Sequence, residues 1–166
     1  MNKYLENLND EIQSYLNILS PKFPDWLLDY IYTPEMLRLD NISMTCGTSY
    51  TKVYTHKYYY SVLTHSVAVA LIIWNFTHDK KQTLSGLFHD IATPTFKHCI
   101  DFMNGDSEYQ ESTEERTEQT IKNSKEIMNL LNRDNISIKE VSDYHMYPIA
   151  DNDTPMLSAD RLEYTL

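Results

Sequence analysis

Residues 60–76 read YSVLTHSVAVALIIWNF, and residues 83–92 read TLSGLFHDIA. The first run is apolar nearly all round, with Val62, Val67, Val69, Ala70, Leu71, Ile72, Ile73 and Trp74. Such a run predicts a central helix buried on every side. Leu84, Leu87, Phe88 and Ile91 make the second run another buried helix. Thr93-Pro94 stops it, because the residue before a proline is pushed out of the helical region. The polar stretch from Asn75 to Lys81 is the exit between the two. The longest apolar stretch, Val67 to Trp74, falls far short of the roughly 20 residues a membrane helix needs, so no membrane association is expected.

Working outward, Leu5, Ile12, Leu16 and Ile18-Leu19 predict an amphipathic helix over about residues 3–19, ended by Ser20-Pro21. Trp26-Leu27-Leu28 and Ile31 suggest a short second helix. Thr33-Pro34-Glu35 reads as an N-cap, a proline at the first helical position and an acidic first turn. Residues 41–59 mix Ser, Thr and Tyr, as in a loop or a short irregular strand pair. Beyond the centre, Phe96 to Met103 predicts one or two helical turns. Ser112 and Glu115 have capping-box spacing and predict a helix over about 113–131. Ser137 and Glu140 repeat that spacing before a helix toward Tyr144. Thr154-Pro155 opens a last helix carrying Leu157 and Leu162, still running at Leu166, which predicts a chain that continues further.

The fold class expected is therefore all-α, a compact helical bundle forming one domain over 1–166. Three glycines and six prolines are too few for the turns of a β-sandwich. A net charge of −10 works against nucleic-acid binding, because the surface repels phosphates. A small anionic substrate would need a local cation, and a bound metal ion supplies one. Cys46 and Cys99 form no CxxC pair and read as reduced thiols. No apolar segment follows the N-terminal residues, so a cytoplasmic location is expected. The oligomeric state is left open, a homo-oligomer included.

Three places set metal-ligand side chains on apolar helices: His65, the pair His89-Asp90, and Asp160. Burying a carboxylate is costly unless it is paired or binds a metal. Imidazole nitrogen with carboxylate oxygen suits a divalent ion such as Fe, Mn, Co, Ni, Zn or Mg. Neighbouring helical residues point about 100° apart, so His89 and Asp90 can share an ion only in a groove between helices. Each residue alone has a plainer reading. A histidine on an apolar helix can be a hydrogen-bonded core residue, and Asp160 can pair with Arg161 at the surface. The combination is what points to a metal.

The order His65, His89-Asp90, Asp160 resembles the signature of the HD-domain phosphohydrolases, an all-α superfamily. The context is similar to its deoxynucleoside triphosphate triphosphohydrolase branch, in three segments. They are Tyr59 to Ser66, Leu87 to His98, and Ser158-Ala159-Asp160-Arg161-Leu162-Glu163-Tyr164. The resemblance implies that His65, His89, Asp90 and Asp160 hold one or two divalent ions, and that water attacks a phosphorus centre. It departs from the branch at three points: Val62 stands where an Arg is usual, Thr93 where a His is usual, and Thr113-Glu114 where a His-Glu pair is usual. A smaller substrate than a triphosphate follows, such as a nucleotide monophosphate or another small phosphate ester.

Around that centre, Glu114 is a candidate general acid or base, or a helix-start carboxylate that favours the macrodipole. His98 and Asp101 match polar positions of the branch and are candidate catalytic residues. Lys97 and Arg161 are candidate phosphate contacts, or else solvated charges. His145 is a further histidine of the kind some HD proteins give to a second metal. The expected function is metal-dependent hydrolysis of a small phosphorylated substrate. The alternative is a regulatory HD module that binds a metal or nucleotide without turnover.

Overall fold

The structure is a computed structural model that describes residues 3–45, 48, 51–55, 57–95, 116–153 and 155–165. Its regular elements are helices; among the described residues no strand forms. The extended pairing is one antiparallel bridge, Ser43 with Ser61. The described part of the segment before the central helix forms no regular strand and is tied to that helix's start through this bridge.

The centre is α5 (Val62–Thr77), in which every residue from Val62 to Ile73 is buried. Ser61 caps it, its Oγ accepting from the Thr64 N–H at 3.1 Å. His78, at φ 51° in the left-handed region, ends it. Asp79 then starts α6 (Lys80–Phe88) by accepting from the Lys81 and Gln82 N–H groups. This cap starts the helix four residues ahead of Leu84, its first apolar position, so α6 begins earlier than its hydrophobic pattern predicts. It also ends earlier, with residues 89–92 in turns. A Cβ on Gly86 would collide with Cδ1 of Ile73 and touch Cγ1 of Val69. The missing side chain is what lets α6 lie so close to α5.

The remaining elements wrap this pair. The predicted helix over 3–19 is two: α1 (Lys3–Glu6) and α2 (Asp10–Leu19). Asn9 divides them, because its side chain accepts from the Glu11 N–H and caps the second. Leu27–Ile31 (α3) and Pro34–Leu37 (α4) follow, the latter passing into a 3₁₀ turn over Arg38–Asn41. Thr117–Asn123 (α7) and Lys125–Arg133 (α8) replace the single helix predicted to reach Leu131. Ser124 separates them by capping α8 through the Ile127 N–H. The capping box at Ser137 and Glu140 is present, but it opens only a 3₁₀ turn over Ile138–Glu140.

The last helix, α9 (Ala159–Thr165), starts four residues later than Pro155. Ser158 stands at its cap, and Leu157 is exposed rather than carried on the helix. The Ser112–Glu115 box and the helical turns expected over 96–103 lie outside the described residues. No described helix is long and apolar enough to cross a membrane.

Candidate metal centre

Three of the sequence-predicted ligands meet where α5, α6 and α9 come together. His65 lies on α5, His89 follows α6, and Asp160 is in the first turn of α9. The ligand atoms of these residues all lie within 4.8 Å of one another. Nε2 of His65 is 3.2 Å from Nε2 of His89 and 3.1 Å from Oδ1 of Asp160. Nε2 of His89 is 3.8 Å from the same carboxylate oxygen. Ligands at about 2.0–2.2 Å from one ion stand roughly 3.0–3.5 Å apart in tetrahedral or octahedral geometry. The observed separations are close to the edges of such a polyhedron.

The opposite nitrogens decide which way the lone pairs face. Nδ1 of His89 donates to the Gly86 carbonyl at 2.7 Å, and a carbonyl can only accept. Nδ1 of His65 donates to the carboxylate of Glu163. With both Nδ1 atoms carrying protons, neutral imidazoles turn both Nε2 lone pairs toward each other and toward Asp160. Three acceptors facing one point repel unless a cation or a proton lies between them. Oδ1 of Asp160 is buried and makes no hydrogen bond of good geometry among the described residues, although His65 is near. A buried carboxylate oxygen in this position needs a proton or a cation beside it.

The charges respond accordingly. Burial opposes a charge on His65, but Asp160 and Glu163 outweigh it and raise the imidazole to about 9. Burial alone would push Asp160 up; the two histidines reverse that and hold its carboxyl below the usual range. A proton on His65 therefore supplies positive charge between these acceptors.

Asp90 stands at the margin. Its Oδ2 is 3.8 Å from Nε2 of His89, and its Oδ1 accepts from the Thr93 hydroxyl at 2.8 Å. It is not among the three residues whose ligand atoms converge. Arg161, a predicted phosphate contact, is engaged elsewhere: it donates to the Met156 carbonyl at 2.7 Å and sits 3.2 Å from Asp151. His145 pairs with the other oxygen of Asp151 at 2.8 Å. Lys97, His98, Asp101 and Glu114 lie outside the described residues, as do both cysteines.

Two residues that the sequence reading passed over support the centre. Glu163 is buried, one helical turn on from Asp160, and accepts from Tyr60 and Tyr15 as well as from His65. A carboxylate behind a metal-binding histidine fixes the ring and its tautomer. Its signal is the spacing of three between two acids on one helix face. Arg38 donates to the carbonyls of Ile91 and Thr93 at 2.6 and 2.8 Å, clamping the turns that carry His89 and Asp90.

Set against protein-family models, the chain matches none. No curated protein matches it. No solved structure matches it.

Proposed function

We propose that the chain is a metal-dependent phosphohydrolase of the HD-domain kind, acting on a nucleotide or another small phosphate ester. The observation that carries this reading is the convergence of two imidazole Nε2 atoms and the buried Asp160 oxygen on one point. A two-nitrogen, one-oxygen donor set suits a divalent transition ion, and Asp90 is the adjacent carboxylate that would be the fourth ligand. A divalent ion there supplies Lewis acidity, which draws phosphate oxygens and makes water acidic enough to react near neutral pH.

The protein's own part is to hold the ligands. Glu163 and the Gly86 carbonyl lock the tautomers of His65 and His89, so both rings present Nε2 without reorganisation. The segment over 96–115 carries the groups proposed for phosphate binding and proton transfer: Lys97, His98, Asp101 and Glu114. Val62 is buried and apolar where the triphosphohydrolases that this chain resembles carry an arginine. That favours a substrate with one phosphate over a triphosphate. The same substitution supports the second reading, a regulatory module that binds a metal or a nucleotide without turnover.

The test is hydrolysis of nucleoside monophosphates, nucleoside triphosphates and p-nitrophenyl phosphate by protein of measured metal content. Turnover should require Mn, Co or a similar ion, stop in chelator, and favour monophosphates. Metal-replete protein that turns over none of them is the module instead. Protein that takes up no ion at all rules out the hydrolase and the metal-binding module, and nucleotide binding then decides for or against what is left of the second reading.

A further inference from the structure

A cavity of about 310 Å³ borders the metal centre without belonging to it. Glu163 is shared between the two: it lines the cavity and holds the Nδ1 edge of His65, whereas His89 and Asp160 meet the Nε2 edge. The walls are Tyr15, Tyr58, Tyr60 and Tyr164, with Glu11 and Glu163 as the charged groups and no basic side chain among the described lining residues. Glu163 is at the buried end, its side chain 5% exposed, and Glu11 at the open end, 48% exposed.

This lining discriminates by charge. Tyr15 and Tyr60 already donate their hydroxyls to Glu163, so what they add to the cavity is ring surface. A phosphate or carboxylate would meet two like charges, with no basic side chain among the described lining residues to offset them. A ligand with a positive head and an apolar body would meet aromatic rings, whose faces attract cations, and two carboxylates. The chain itself places a cation here, since the ammonium of Lys57 sits on Glu11 at the opening. The volume is at the small end of ligand sites.

We propose that this cavity is a binding site for a small organic ammonium ion, lined by the tyrosine rings with Glu11 at its mouth. The proposal is independent of any phosphohydrolase activity, and its test uses no turnover. The full chain is titrated by calorimetry with choline and with 3,3-dimethylbutan-1-ol, which has the same shape without the charge. Choline should bind saturably at one site, and the neutral isostere at least about tenfold more weakly. Tyr58 is partly exposed, so Tyr58→Ala should fold, as checked by circular dichroism, and weaken choline by a factor of about 2–30. Lys57→Gln removes the competing ammonium and should tighten it. Equal affinity for the isostere overturns the proposal, as does the absence of saturable choline binding. So does a folded Tyr58→Ala protein that binds choline as well as the parent.

Discussion

A histidine offers a metal one nitrogen, and the partner of the other nitrogen determines whether it is ready to do so. In His65 and His89 that partner is an acceptor, a carboxylate for one and a carbonyl for the other. The two are not equivalent. Gly86 is three residues from His89 and in the last turn of the helix that His89 caps, so that bond survives any change short of moving α6. Glu163 is 98 residues from His65 and reaches it only through the packing of α9 on α5. This explains what the sequence makes legible here. His65 and His89 stand out because each is a polar interruption of an apolar run, and Asp160 because it follows them in the order of the HD signature. Glu163 does not, because a glutamate on a short terminal helix resembles any solvated acid until its distant partner is known. Glu163→Gln keeps the size and an acceptor oxygen but removes the charge. Metal affinity should fall by about 10–100-fold, the usual effect of losing such a partner, as read by competition with a chromophoric chelator. Unchanged affinity would remove Glu163 from the centre.

At the scale of elements, the two buried helices were readable because burial on all sides leaves an unbroken apolar pattern. Their ends were not, because a single cap outweighs the pattern at a boundary. Asp79 pulls α6 forward to Lys80, while Asn9 and Ser124 each cut a predicted helix in two. The late start of α9 has the same origin: Ser158 caps it, and Pro155 is left in a turn. Gly86 is the point where helix packing and ligand geometry meet. It lets α6 approach Ile73 and Val69, and its carbonyl holds His89. Gly86→Val would force the helices apart. The expected cost is about 2–3 kcal/mol, at the upper end for an overpacked core site, with weaker metal uptake because His89 moves with α6. Neighbouring Ser85→Ala is the control, since it removes a buried hydroxyl that has no hydrogen bond among the described residues. Thermal unfolding of the two variants measures both effects. A Gly86→Val protein as stable as the Ser85→Ala protein would show that the close approach is not required.

For the whole molecule, the composition sets the electrostatic problem that the centre addresses. With 24 acidic residues against 14 basic ones, a further buried carboxylate pair is tolerable only beside a positive charge. Without metal, that charge is the proton on His65, resisted by burial but retained to about pH 9 by Asp160 and Glu163. The folded value lies above the ordinary histidine value of about 6.5. Protonation of His65 therefore stabilises the fold fully below about pH 6.5, and the contribution is lost as the pH rises through 9. A metal ion needs the same Nε2 without its proton, so ion and proton compete. Two opposite trends follow over one pH window. The chelator-treated protein should lose stability as the pH rises, while the stabilisation given by a fixed concentration of Mn²⁺ should grow. At a hundredfold excess over its dissociation constant the ion contributes about 2.7 kcal/mol. Scanning calorimetry with and without the ion, across that window, separates the two curves. A melting temperature that the ion leaves unchanged at every pH would mean that the three facing acceptors are held by protons alone. An increment that shrank with rising pH would mean that the ion binds somewhere other than His65.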